Sequence, residues 1–147
     1  MADGFKFEGL DGLEKELNQT AKELKNISAR IVKVLSTVRN NILKTTTSGI
    51  DLNGTAFEKY SKMYKTIRSQ NSRQSSPVSL TWTGNMLRSM KSFGISHGGE
   101  IRFDSTRAND LAVKHNEGKG VPKREFFGLN QKNMDYIEKK LSASITL

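Results

Sequence analysis

The fold is decided by residues 8–49, EGLDGLEKELNQTAKELKNISARIVKVLSTVRNNILKTTTSG. Leu, Ile or Val recurs every seven residues at 10, 17, 24, 31 and 38. Three residues after the first four of these positions stands a second row, which is Leu, Thr, Ile and Val at 13, 20, 27 and 34. Alternating spacings of three and four residues predict an amphipathic helix. We expect it to run from about Glu8 to Lys44 and to end in the threonines and glycine at 45–49.

Such a helix would be long for the size of the chain. At ~1.5 Å per residue it would span about 50 Å, in a protein of 147 residues. Two interpretations remain open: the helix lies across its own domain, or its first half packs against a neighbouring subunit. The candidate interface residues are the leucines of that first half, Leu10, Leu13, Leu17 and Leu24.

The composition excludes several classes of protein. Hydrophobic residues make up 35% of the chain and cysteine is absent, so disulfide scaffolds, thiol catalysis and cysteine-ligated metal sites are ruled out. The apolar runs are too short to cross a membrane and the start lacks the layout of a signal peptide. We expect no cofactor and no membrane association.

The net charge of +9 is unevenly distributed. Residues 30–103 carry twelve basic and three acidic side chains, whereas residues 1–29 carry four basic and six acidic ones. The basic middle favours an anionic partner such as nucleic acid or an acidic protein face, although a merely solvated surface explains it equally well.

The remainder predicts an α+β body at 50–147, in one domain with the helix at 1–49. Asp51, Asn53 and Gly54 signal a turn, and a polar loop at 69–79 is expected on the surface. The next predicted elements are a short helix within 80–92 capped by Thr83, a hairpin at 93–105 turning at Gly98–Gly99, and an ambiguous segment at 110–116. A final helix is expected at 130–141, capped by Asn130 and with Met134, Ile137 and Leu141 on its apolar face, followed by a β-prone tail.

Residues 55–68, TAFEKYSKMYKTIR, alternate aromatic and basic side chains at helical spacing. One interpretation buries the aromatics and leaves the lysines outside. The other has the helix and the following loop bind an acidic partner or DNA by stacking and phosphate contacts. The candidate contacts are Lys59, Lys62, Lys65, Arg68 and Arg73.

Catalytic motifs are absent from the sequence. His97 falls in the predicted hairpin turn, and His115 is expected to be packed or bonded to backbone rather than to act as a base. Because no pair of carboxylates can be nominated for acid–base work, we predict that the chain is not an enzyme.

Three stretches in order, LTWTGNMLRSM at 80–90, DLAVKHNEG at 110–118 and VPKREFFGL at 121–129, resemble the tail-completion proteins of tailed bacteriophages, the virion-morphogenesis family. The match extends over residues 51–129 and departs from the family at Leu111 and Asn116. Its motif residues are Thr83, Gly84, Leu87, Ser89, Ala112, His115, Gly118, Pro122, Arg124 and Phe126.

The resemblance implies a structural virion protein, made in the bacterial cytoplasm and placed at the neck or tail end. It implies a ring, a hexamer in the family, that contacts adjoining neck and tail proteins and makes the tail competent to join the DNA-filled head. The basic segment would then face packaged DNA or acidic faces of adjoining rings. Thr83 and Gly84 are expected to start a helix, Arg124 to pair with a carboxylate and Phe126 to fill the core. The alternatives are a small nucleic-acid-binding protein and an assembly factor absent from the mature particle.

Overall fold

A computed structural model describes residues 10–95 and 98–142, with side chains from Lys15 onward. The α+β prediction is confirmed: helices α1 (Leu10–Thr47), α2 (Lys62–Gln70), α3 (Asn85–Arg88), α4 (Thr106–Glu117) and α5 (Gln131–Ser142) accompany an antiparallel pair, β1 (Met90–Ile95) and β2 (Gly98–Phe103). The predicted tail, His97 and the side chains of Leu10 and Leu13 lie outside the described residues.

Helix α1 confirms the long periodic helix and extends it by one turn at the C-terminal end. Thr46 donates to the carbonyl of Ile42 (2.7 Å), and Gly49 follows with φ +81°. A side chain at Gly49 would stand 2.8 Å from Cβ of Pro77. The helix therefore ends where residues 77–78 cross it, since only glycine combines that conformation with that close approach.

The core forms where the second half of α1 meets the body. Val38 and Ile42 of α1 contact the apolar side chains of the body, and the buried cluster is completed by Phe57, Tyr60, Val78, Leu80, Met86, Leu87, Met90, Phe103, Ala108, Ala112 and Phe126. The first half of α1 contributes nothing to this core among its described residues. The body thus covers only one half of the helix.

The hairpin packs on α1, and its glycines serve that packing rather than the turn. Ile95 pairs with Gly98 and Gly94 pairs with Gly99, so the prediction of a turn at Gly98–Gly99 is wrong. A side chain at Gly99 would stand 2.6 Å from Leu35 and 2.7 Å from Ile31. Glycine is required at position 99 because the helix leaves no room for a side chain there, whereas a Cβ at Gly98 would have no neighbour within 4 Å.

Residues 55–61 are not helical, which corrects the prediction of a helix over 55–68. The backbone N–H of Phe57 donates to the carbonyl of Gly49 (2.8 Å), and Ile50 bridges to Ala56. These bonds close the turn predicted at Asp51, whose carboxylate accepts from the N–H groups of Asn53 and Thr55. Helix α2 starts only after this loop, at the Ser61 cap.

The polar loop is shorter and better packed than predicted. Helix α2 continues to Gln70, and Val78 is buried in the core. The helix predicted within 80–92 is only the four-residue α3, because Leu80 has a positive φ of 53° and Met90 already begins β1. Gly84, in the left-handed conformation, is its N-cap in place of Thr83.

The ambiguous segment at 110–116 is helical, as part of α4. The final helix is confirmed with its cap, since the Asn130 side chain accepts from the N–H of Asn133 (2.8 Å). Its predicted apolar face is confirmed at Ile137, which packs against the core together with Tyr136. It is wrong at Met134, which is exposed, and Asn133 is buried instead.

Candidate functional site

The three motif stretches border one open groove of about 1080 Å³. Tyr60, Tyr64 and Trp82 supply an aromatic surface: the two tyrosine rings meet edge to face at 5.0 Å, and Tyr64 stacks on Trp82 at 6.2 Å. Of the predicted site residues, the groove is lined by Thr83, Gly84, Ser89, His115, Pro122, Arg124 and Arg68.

Arg124 does not pair with a carboxylate, which corrects that prediction. It is 4% exposed; its Nε donates to the carbonyl of Glu58 (2.9 Å) and its Nη2 to that of Lys59 (3.4 Å). The guanidinium carbon lies 5.1 Å from the Tyr60 ring centroid. Arg124 therefore ties the extended segment after α4 to the loop before α2, with its charge on a ring face.

Arg68 was predicted to face a partner and is instead buried, with 2% of its surface exposed. Its Nε donates to the carbonyl of Gln74 (2.7 Å) and its Nη2 to that of Thr81 (2.8 Å). The guanidinium lies 4.7 Å from the centroid of Tyr60. A side chain held in this way secures the loop at 71–81 and is not free to bind phosphate.

Asn116, a departure from the family pattern, holds the last motif stretch. Its Oδ1 accepts from the N–H groups of Phe126 (3.0 Å) and Phe127 (3.1 Å), and its Nδ2 donates to the Phe127 carbonyl (2.7 Å). Phe126 is buried, as predicted, with its ring 6.3 Å from that of Phe103. No local pattern marked Asn116, since its partners are ten and eleven residues away.

The remaining motif residues maintain the body. Thr83 Oγ1 accepts from the N–H of Asn85 (3.3 Å), and the hydroxyl of Ser89 donates to Asp104. Leu87 and Ala112 are buried. Gly118 ends α4 with φ +71°.

His115 lies in the groove wall next to Arg124. Its backbone carbonyl accepts from the N–H of Arg124 (2.7 Å), while Nδ1 is buried with no hydrogen-bond partner among the described residues. Burial lowers the pKa of His115 below 6.5, and the positive charge of Arg124 lowers it further. The imidazole is therefore neutral near pH 7.

The other predicted cations do not converge. Lys59 and Lys62 are exposed and Lys65 is half-buried, and none of them borders the groove. Exposed Arg73 lies 5.5 Å from the Trp82 ring centroid. The exposed cations that do line the groove, Arg88, Lys91 and Arg107, were not singled out from the sequence, because their proximity arises only when β1, α3 and α4 pack.

The first half of α1 is a second candidate surface. Every residue from Lys15 to Ile27 is exposed, including Leu17 and Leu24 at 61% each. Further along the same face, Val38 is fully buried. The apolar stripe is thus continuous, with its second half covered by the body and its first half bare.

Within the described residues, no helix combines the length and apolar character needed to span a membrane. The same residues place no group of three or more His, Cys, Asp or Glu side chains where it could hold a metal ion. Comparison of the chain with protein-family models, curated proteins and solved structures finds no match.

Proposed function

We propose that this chain is a structural protein of a tailed-bacteriophage virion, a neck or tail-completion protein that forms a ring at the head–tail interface. The observation that carries the proposal is the bare stripe of α1, where Leu17 and Leu24 are each 61% exposed over a stretch that no described element covers. A row of exposed leucines on a regular helix is typical of a surface that another chain covers.

The size of the bare segment fits a contact between subunits. Residues 15–27 extend over roughly 20 Å at ~1.5 Å per residue, while the contacts of α1 with the hairpin involve Ser28, Ile31 and Leu35. A contact between two different surfaces repeats from subunit to subunit and generates rings when the rotation closes. The proposal is therefore that neighbouring copies cover each other in the assembled particle.

The motif residues also support a structural role, because they hold the body rigid and do not form a catalytic arrangement. Arg124, Asn116 and Arg68 use their polar groups on backbone carbonyls and N–H groups. Side chains used in this way fix the shape of the groove. We propose a structural role and no catalytic one.

Deletion of the gene from the phage or prophage that encodes it tests the proposal. We expect DNA-filled heads and separate tails by electron microscopy, with infectious particles restored by the wild-type gene in trans. Normal virions from the deletion strain would contradict the proposal. Mass spectrometry of purified virions separates it from an assembly factor, which would be missing from the particle.

A nucleic-acid-binding protein is the second candidate, favoured by exposed Trp82 beside Arg73 and by the cations Lys91 and Arg107 in the groove. It predicts DNA binding that weakens steeply with salt. A fluorescence anisotropy titration with duplex and single-stranded DNA at ~50 mM salt, where phosphate contacts are strong, measures this. A flat titration would remove this candidate.

A further inference from the structure

The groove contains positive charge that the chain itself does not neutralise. Arg68 and Arg124 are both buried beside Tyr60, and among the described residues neither has a carboxylate within ion-pair distance. Their hydrogen bonds run to carbonyl oxygens, which are dipoles and not countercharges. Because burial of an unpaired charge is unfavourable, a carboxylate brought to the groove would be stabilised there.

The exposed edge of the groove adds to this field. Of the described lining residues, five are Arg or Lys, and the acidic one, Asp104, accepts from Ser89. Lys91 and Arg107 have no ion-pair or hydrogen-bond partner among the described residues. Trp82 and Leu111 line the same groove and are each 38% exposed. The groove therefore fits an apolar segment flanked by acidic side chains.

The bare half of α1 has that chemistry. Glu16 and Glu23 immediately precede Leu17 and Leu24, so the leucine stripe has a row of glutamates along one side. Lys15 and Lys22 lie two residues before the leucines, about 200° around the helix, on the opposite face. One flank of the leucine stripe is thus acidic, Lys25 lies on the other side of Leu24, and the face away from the stripe is basic.

The same helix is a poor partner for itself. Two copies paired antiparallel through the stripe would set one row of glutamates against the other. In a parallel pair, Glu16 and Glu23 would face Ala21 and Ser28 of the second helix, which carry no positive charge. The groove of another copy supplies both the cations and the apolar surface, and no described α1 residue lines the groove of its own chain.

We infer that the groove receives the first half of α1 from a second copy of this chain, with Leu17 and Leu24 against Trp82 and Leu111 and with Glu16 and Glu23 near Lys91 and Arg107. This rests on the proposed function, for which it names the contact between neighbouring subunits. The two surfaces are different, so the contact is head-to-tail and repeats from copy to copy.

Reversing the charges on one surface at a time tests this contact. Lys91→Glu with Arg107→Glu, or Glu16→Lys with Glu23→Lys, is expected to weaken self-association of the full chain at least ~10-fold, because each reversal turns an attraction into a repulsion. The dissociation constant is measured by sedimentation equilibrium. The matched control reverses Lys132 and Lys139, exposed on α5 and outside the groove, and is expected to change nothing.

Mixing the two reversed variants gives a sharper result. The groove variant retains a wild-type helix and the helix variant a wild-type groove, and the reversed helix also matches the reversed groove in charge, so the mixture is expected to regain the assembly that each variant alone has lost. The four substitutions combined in one chain should restore self-association. Any of three results would overturn the inference. The mixture forms no complex, the combined variant does not recover self-association, or the wild-type chain stays monomeric at a concentration on the order of 1 mM, the limit of weak association.

The remaining outcomes separate this contact from other roles. If the groove reversal abolishes binding to a DNA duplex and leaves self-association intact, the groove is a nucleic-acid site and the inference is wrong. If deletion of the gene leaves tails unjoined while the mixture forms no complex, the proposed function stands and this contact alone is wrong. If deletion leaves normal virions and the mixture still assembles, the contact stands without the virion role.

Discussion

Replacing the two exposed leucines of α1 should separate assembly from folding. Leu17→Gln with Leu24→Gln keeps good helix formers on the helix while removing its apolar stripe. In the isolated subunit both side chains already face water, so the free energy of unfolding should change by less than about 0.5 kcal/mol. The effect is expected on self-association.

The magnitude follows from the exposure of the two side chains. Each leucine is 61% exposed in the single chain and has that fraction left to bury. At ~1.5–3 kcal/mol for burying a leucine fully, the pair contributes roughly 2–4 kcal/mol to a contact that covers it. Since ~1.4 kcal/mol is a factor of ten, the dissociation constant should rise by roughly 30- to 700-fold.

Sedimentation equilibrium over a range of concentrations measures the association, and thermal unfolding followed by far-UV circular dichroism measures the fold. Met63→Gln is the matched control, because Met63 is 70% exposed on α2, away from the stripe. An unchanged dissociation constant would refute the role given to the stripe. A marked loss of melting temperature would show instead that the leucines are already covered within one subunit.

Three further predictions concern the stability of the body. Because folding lowers the pKa of His115 below 6.5, the unfolded chain takes up the imidazole proton first as the pH falls, so the free energy of unfolding should decrease from pH 6.5 towards the lowered folded pKa. Urea unfolding from pH 8 to pH 5 should show a shallower decrease for His115→Gln than for the wild type. Parallel curves for the two proteins would contradict this. Arg124→Lys should lose roughly 2 kcal/mol, since an ammonium group does not reproduce the fork that bonds two carbonyls, and an unchanged denaturation midpoint would count against it. Gly49→Ala and Gly54→Ala both place alanine at positive φ, but of the two positions only Gly49 has a close neighbour, Pro77 at 2.8 Å. Gly49→Ala should therefore be less stable than Gly54→Ala by about 1–3 kcal/mol in the same assay. Equal losses of stability would refute the role of this contact.

The elements that the sequence predicted well are those with a local signal. The periodicity of α1 and the Asn130 cap of α5 depend on residues a few positions apart, and both are confirmed. The prediction of a helix over 55–68 was wrong because the backbone N–H of Phe57 donates to the carbonyl of Gly49 across the turn at Asp51. That bond competes with helix formation, and the helical spacing of the aromatics does not reveal it.

The candidate site was predicted less well, since its residues are brought together by packing. Arg68 and the lysines near it look alike in sequence, yet Arg68 bonds to carbonyls of Gln74 and Thr81 that reach it only when the loop folds back. The sequence did not mark Lys91 and Arg107 as site residues, because they are far apart along the chain and come together only when the groove forms.

The sequence by itself determined the long amphipathic helix, the α+β class and the excess of positive charge in the middle of the chain, because these are properties of spacing and composition. Only the tertiary structure decided which half of the stripe is covered and which arginines are buried. Burial depends on contacts between distant segments, and a side chain carries the same charge and apolar area in sequence whether or not another segment packs over it.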